Sequence, residues 1–584
     1  MSNNPPPPGP YGHQPPPQHG QQPPPQYGQQ PPPQYGQQPP PQYGQQPPPY
    51  GQQPPPQFGP PGQGGQPPYG QQWSEASAAP PPKRRRKGLI VGAVAVAGVL
   101  VAGGLSAVAY QTLAGGGEQP AEAVPGSAIA YARIDLDPSA SQKVNVVRLL
   151  RRIPEFSEAT GITGDRDDLR KSVFEQLIED SGCDVDYEDD IGSWVGDRAA
   201  IAVMPGETEP LPVFVVQTTD ESAAREGVDA LKQCGGEEDQ ASGLAFVGDY
   251  AVIAPTQAEA DDAAAAAEES PLSEDEDFSA SMEDIGDQGV ASFWADGAAL
   301  AELAQSSGSV DDAGQLDSAL YDELGSVAGA VRAGSDYIEL KTTATVGDAL
   351  RPEGTLADPG ALPDTTVAAF ALAGGADTVD EQWPLFVESM QDSMGPYTDF
   401  QTELDAFETE TGIVLPDDLK AMLGSSITLA VDEAGLDSFA TITDPADIAG
   451  LNFGIRSVTD AAALGAVVER FNTVLAANGA PPMATQETDD GLAVASNGDY
   501  AAKLAAGGTL GDTDAFQKVL PEVDDANSMM YVDADKLSEL ITATDDGTGG
   551  MTETATNLEP IQAFGYSSQI EGEDISVLVR VSFD

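Results

Sequence analysis

VPGSAIAYAR at residues 124–133 returns as LPDTTVAAFA at 362–371, and this repeat governs how the rest of the chain is read. Three more pairs follow in the same order: DIGSWVG at 190–196 with DLKAMLG at 418–424, GDYA at 248–251 with GDYA at 498–501, and VASFWADGAAL at 290–300 with NSMMYVDADKL at 527–537. The offsets are 238, 228, 250 and 237, and the closing segments 326–346 and 561–583 also correspond. Landmarks kept in one order at nearly one spacing mean a duplicated module. Copy one covers 118–350 and copy two 355–584, with a boundary expected near 347–359, where Gly, Asp and Pro gather.

Within copy one, residues 128–134 have the short apolar content of a buried strand. Pro138 then opens a helix to about residue 156, in which Val144, Val147, Leu150 and Ile153 recur at helical spacing. Residues 199–204 and 213–216 read as strands, and 244–247 with 250–253 as a tight hairpin turning at Gly248 and Asp249. A helix over 258–269 and a strand over 290–295 complete the unit, and copy two repeats the order. Strands joined by turns, with helices interspersed, imply an α+β class: two tandem antiparallel-rich modules rather than a doubly wound sheet.

Ahead of the repeat, charge divides the 584 residues into three zones. Residues 1–87 hold one acid, Glu75, and five bases, 88–117 hold no charged side chain, and the remainder holds 21 bases against 92 acids, a net of −71. Residues 1–82 form a Pro/Gln/Gly/Tyr-rich tail in which QQPPPQYG recurs at 21–28, 29–36 and 37–44. Triple prolines favour extended backbone, and with almost no aliphatic residues to bury, the tail is expected to be disordered. Its spaced tyrosines suit weak multivalent self-association or recognition by a partner, against the plain alternative of a solvated tail.

Residues 88–110 read GLIVGAVAVAGVLVAGGLSAVAY, which as a helix would be roughly 34 Å long and would span a hydrocarbon core of about 30 Å. Lys83, Arg84, Arg85, Arg86 and Lys87 abut its N-terminal end, so the positive-inside rule keeps the tail in the cytosol and exports the acidic bulk. The lipid bilayer is thus the first expected partner, and the expected localisation is the cell membrane, single-pass, with the C-terminal region outside. Ala107-Val108-Ala109 resembles a signal-peptidase site, but the apolar run is longer than a signal core and the leader far too long. Gly88 and Gly92 make a Gly-x-x-x-Gly spacing for helix association, which lipid-facing small residues would equally produce.

The chemistry-bearing residues mostly exclude. Both histidines, His13 and His19, lie in the tail, so no histidine-based triad or metal site forms in the exported region. Walker A, nucleophile-elbow and Ser-x-x-Lys patterns are absent, and strong acidity argues against nucleic acid. Cys183 and Cys234, both in copy one, suggest a disulfide on an oxidising side of the membrane. The acidic runs DVDYEDD at 184–190, DRDD at 165–168 and SEDED at 273–277 offer calcium as the one cofactor candidate, yet they fail the EF-hand template and read equally as solvated surface.

YARIDLDPSASQK at 131–143, followed by RLLRRIP at 148–154, resembles a bacterial, actinobacterial-type family of membrane-anchored exported proteins classed as domain of unknown function 3352. That resemblance singles out Tyr131, Arg133, Asp135, Asp137 and Pro138 and implies no catalytic residues; a salt-bridged strand end is the plain role for Arg133 and Asp135. Copy two has ALAGGAD at 371–377 where copy one has ARIDLDP at 132–138, so any role of these residues belongs to copy one. The expected function is a non-enzymatic envelope protein whose duplicated acidic region binds an envelope protein or ligand. The alternatives are a carboxylate-dependent hydrolase of wall glycan and an envelope sensor signalling to the tail. A hydrolase requires convergent acids in a cleft, whereas a binder requires an apolar or aromatic patch.

Overall fold

The computed structural model describes residues 119–135, 185–206, 210–232, 243–300, 324–347, 354–394, 399–436, 445–538 and 558–584, with single helical positions between 145 and 175. The chain divides into two units, Met1–Pro82 and Lys83–Asp584, and every described residue lies in the second. Outside the described residues fall the tail, the basic cluster Lys83–Lys87, the apolar run 88–110 with Gly88 and Gly92, Asp137, Pro138, Cys183 and Cys234.

The first half contributes strands β1 (Ala130–Asp135), β2 (Val195–Met204), β3 (Leu211–Thr218), β4 (Gly243–Val247), β5 (Tyr250–Ala254), β6 (Ala291–Asp296), β7 (Leu324–Ala333) and β8 (Tyr337–Val346). The second contributes β9 (Thr366–Ala373), β10 (Ser426–Asp432), β11 (Phe453–Val458), β12 (Ala484–Glu487), β13 (Gly491–Ala495), β14 (Ser528–Asp533), β15 (Ile561–Glu571) and β16 (Asp574–Phe583). The order from β8 outward is β8-β7-β6-β1-β2-β3-β5-β4, and from β16 outward β16-β15-β14-β9-β10-β11-β13-β12. The two orders are the same with every index raised by eight.

These halves are not separate modules. β8 and β16 pair antiparallel from Asp574↔Thr345 to Ser582↔Tyr337, so all sixteen strands form one sheet. That corrects the expected fold class of two tandem modules behind a transmembrane helix. The physical reason lies in the edges: each half ends on a ten-residue strand, and pairing the two removes both open edges at once. No helix among the described residues is long and apolar enough to cross a membrane. The longest of them, α4 (Gly375–Met394), carries Asp377, Asp380, Glu381 and Glu388.

The seam is self-complementary. Moving Lys341 along by 237, the offset of the stretch at 290 and 527, lands on Leu578, and these two residues face each other across the seam. A residue facing its own counterpart is the mark of an isologous contact about a twofold axis. One repeat is misleading, however. Gly248 and Asp249 form the turn between β4 and β5, whereas Gly498 and Asp499 open helix α8 (Gly498–Ala506), so the two GDYA motifs are not equivalent places.

Across the seam, Arg332 on β7, Glu339 on β8 and Arg580 on β16 stand abreast on one face. Glu339 is buried and accepts from Arg332 Nη1 at 2.9 Å and Arg580 Nε at 2.6 Å. Each arginine also donates to the end of a helix in its own half. Arg332 reaches the carbonyls of Ile285 and Asp287 after α3 (Glu276–Ile285), and Arg580 donates at 3.1 Å to Lys518 in α9 (Asp514–Val519). Helix C-termini carry unpaired carbonyls and partial negative charge, which a guanidinium satisfies.

That same face holds the two large cores. In the first half, Tyr131, Ala202, Val213, Trp294 and Ala328 pack under α2 (Gln257–Glu269) and α3, with Phe278 edge-on to both Tyr131 at 5.5 Å and Trp294 at 5.7 Å. In the second, Ala369, Ala371, Ala430, Met529 and Tyr531 pack under α8 and α9. Small side chains let the helices sit close: a Cβ at Gly565 would meet the Val519 carbonyl at 2.6 Å. At each outer edge an amide side chain takes the free backbone groups of one residue. Gln257 on α2 accepts from Leu244 N at 3.1 Å and donates to its carbonyl at 2.9 Å, occupying the free side of β4 as a neighbouring strand would. Asn472 on α7 (Ala461–Ala477) does the same to Met483, just before β12, at 2.7 and 3.0 Å.

Two outcomes test this architecture. Glu339→Gln leaves two arginines facing a neutral group at a buried site and is expected to cost about 3–5 kcal/mol, read as a lowered urea midpoint. Burial also raises the phenol pKa of Tyr250 to about 12, and raises Tyr131, Tyr500 and Tyr531 as well. A phenol whose pKa is raised by folding contributes stability that is intact below its unfolded value and lost as pH climbs through the folded one. Unfolding, followed with the tyrosinate absorbance, should therefore set in above about pH 10.

Candidate functional site

The sheet's opposite face is covered unevenly. Over the first half, Ala224 and Val228 of α1 (Glu221–Lys232) and Ile191 pack with Ile134, Ala199, Val216 and Phe246. At the seam, Leu149 is fully buried against Val331, Ile338 and Val581. Over the far end of the second half, Leu464 and Val468 of α7 and Met422 of α6 (Asp417–Leu423) cover Ile455, Leu492 and Val494. Between these covered stretches the described residues leave part of the face open to solvent.

Leu429 on β10, Phe370 on β9 and Met530 on β14 stand directly abreast in that open part. They are 46%, 45% and 36% exposed. Half-buried Tyr566 on β15 extends the row at one end, while Ile455 under α7 closes it at the other, so the open row crosses four strands or about 14 Å at the usual strand spacing. The flanking rows are Ile427, Leu372 and Ser528 on one side and Val431, Ala368 and Val532 on the other. Eight of the nine central positions are apolar. Alternation explains how this arises: in TVAAFALA, residues 366–373, Ala369, Ala371 and Ala373 point into the core, so Phe370 and Leu372 must point away.

The helix group next to this part of the sheet reaches it through α6, which contacts β10 and β11. α4 begins two residues after β9 and packs on α6 and on α5 (Phe400–Thr411), and it leaves Leu385 and Phe386 exposed. Phe407 on α5 and Phe471 on α7 are exposed as well. Phe386 touches Trp383 and Phe400, with centroids 5.3 and 5.9 Å apart. Isolated surface apolar residues are ordinary, but contiguous ones of this extent mark interaction sites. The equivalent row in the first half is Ile201, Ala132 and Phe293, each half-buried, with Phe214 exposed at its end.

The residues singled out from sequence lie elsewhere. Tyr131, Arg133 and Asp135 alternate onto the core face, away from the floor. Arg133 donates to Ser292 Oγ at 3.1 Å, to the Gly289 carbonyl at 3.0 Å and to Gln119 Oε1 at 3.2 Å, while Asp135 lies 3.9 Å from Arg198. The pair at the strand end is therefore Asp135 with Arg198, and Arg133 instead bonds across to the loop before β6. Of the acidic runs, Asp186 accepts from Glu188 N at 2.9 Å and Asp189 N at 3.1 Å, and Asp275 caps α3 by accepting from Phe278 N at 2.9 Å. Among the described residues no three Asp, Glu, Cys or His side chains converge to hold a metal. A shallow cleft of about 310 Å³ between α7 and β12, lined by Gly465, Val468, Glu469 and Met483, belongs to the edge where Asn472 bonds Met483.

The family described as protein of unknown function, domain of unknown function 3352, matches residues 89–423, which is more than half of the chain. The chain belongs to this family. The matched stretch takes in the whole first half and ends with α6, so it includes β9 and α4 of the floor. No curated protein matches the chain. Among solved structures, one titled "Structure of crystal form III of TP0453" is similar over 42% of this chain and 84% of that one, at 9% identity and a TM-score of 0.21.

A surface role for the floor has a direct consequence. Phe370→Ser and Leu429→Ser should each shift stability by only about 0.5 kcal/mol, as exposed sites do. By contrast, Phe516→Ala in the core on the other face should cost about 3–5 kcal/mol. Denaturant midpoints of the three variants separate the two cases.

Proposed function

We propose that this chain is a non-enzymatic binding protein of the bacterial cell envelope, which offers the apolar floor over β10, β9 and β14 to a partner. The observation that carries the reading is a row of large apolar side chains left open to solvent between two covered stretches of one sheet face. A sheet face is ordinarily buried under a helix layer or made polar, and this one is neither. Support for the location comes from the uncharged run 88–110 behind the five bases Lys83 to Lys87, which favours a cytosolic tail and an exported acidic region.

Two measurements on full-length protein in living cells test this. Photo-cross-linking residues at 370 and 429 should give discrete adducts that are absent when the same probe sits at exposed Lys503 on the opposite helix layer. Protease added to wall-stripped intact cells should digest the acidic region and spare the tail. Equal adducts from all three positions would remove the binding role, and protection of the acidic region would remove the envelope location.

A further inference from the structure

The structure points to the chemistry of what the floor takes: we infer a cationic amphipathic segment of a partner protein, with apolar side chains on the floor and Lys or Arg against α4 and α5. The inference rests on the binding role proposed above. Its independent support is charge. From residue 375 to residue 411, the stretch containing α4 and α5, there are ten acids and no Lys or Arg. Glu381, Glu388, Glu403 and Glu408 are exposed on these helices beside exposed Leu385, Phe386 and Phe407.

Bases on the neighbouring helices α6 and α7 are already engaged within the same layer. Lys420 on α6 lies 2.8 Å from Asp380 and 3.2 Å from Asp417, and hydrogen bonding to Asp380 and then Asp417 raises its pKa. Arg470 on α7 is paired with Asp418. What remains on α4 and α5, the helices joined to the sheet through α6, is therefore an excess of negative charge. Such a surface repels anionic lipid and acidic proteins, including further copies of a chain with net charge −67, and it draws in and orients a basic segment. An apolar floor about 14 Å across also matches the reach of two to three helical turns lying flat.

The test uses the full-length chain in phosphatidylcholine nanodiscs, with empty discs as background, and three labelled 18-residue peptides: Leu/Lys, Leu/Ser and Leu/Glu. The Leu/Lys peptide should bind best, and raising salt from 50 to 500 mM should weaken it about tenfold or more, because screening removes its advantage. Replacing four acids (Glu381→Gln, Glu388→Gln, Glu403→Gln and Glu408→Gln) should bring it to the Leu/Ser level and leave Leu/Ser unchanged. Phe370→Ser with Leu429→Ser should abolish both. If Leu/Glu binds as well as Leu/Lys, the cationic partner is wrong while the apolar binding role survives. Tighter, floor-dependent binding to phosphatidylglycerol vesicles would overturn it in favour of a membrane. Binding of no peptide, together with no adduct from residue 370 in cells, would end both readings.

Discussion

Glu339 between Arg332 and Arg580 is the contact on which the architecture turns. A carboxylate desolvated on a sheet is costly unless its lone pairs are filled, and here two guanidiniums fill them from the strands on either side. Each guanidinium is in turn held by backbone carbonyls at a helix end, in α3 on one side and α9 on the other. The arrangement locks the register of β8 against β16, because a slip by one residue would carry Arg580 to the other face, away from Glu339. It also ties together the helix layers of the two halves. The symmetric backbone seam is thus fastened by an asymmetric set of side chains: at the positions 237 residues away, Glu339 corresponds to Ser576, Arg332 to Gln569 and Arg580 to Thr343.

Because the seam commits one face to large buried cores, the opposite face becomes the variable one. In the first half its central row is Ile201, Ala132 and Phe293, with the Phe293 ring lying over Gly329, where a Cβ would fall 2.4 Å from Cζ. In the second half the matching places hold Leu429, Phe370 and Met530, which are larger at the centre and more exposed. The helices differ correspondingly. Leu149 of the first half is fully buried on the seam, while α4 of the second half packs on α5 and α6. Duplication followed by divergence on one face leaves a framework with one closed half and one open one.

Much of this was legible in the residues. The repeated landmarks at 124 and 362, 190 and 418, and 290 and 527 fall at equivalent places in the two halves, and the hairpin at Gly248 and Asp249 forms as its turn residues imply. The family resemblance at 131–154 agrees with the matched family. The seam was not legible, since Glu339 and Arg580 are 241 positions apart and neither strand carries a local signal of its neighbour. The floor was half legible: TVAAFALA is apolar on both alternating faces, which reads as a strand buried on both sides, and only the missing cover distinguishes the two. Tyr131, Arg133 and Asp135 drew attention by resemblance, and their places on the core face make them part of what holds β1 to β2 and β6.

The outer edges bear on what the molecule can do with other chains. A long antiparallel sheet would normally recruit further strands at its two ends, yet Gln257 occupies the backbone groups of Leu244 and Asn472 those of Met483. The amides come from opposite helix layers, α2 and α7, so the two ends reached the same solution by different routes. The inner edges are consumed by the seam, and at each outer edge one residue's backbone groups are already taken by an amide side chain. Apolar side chains left exposed on the sheet are gathered instead on its face, at Leu429, Phe370 and Met530.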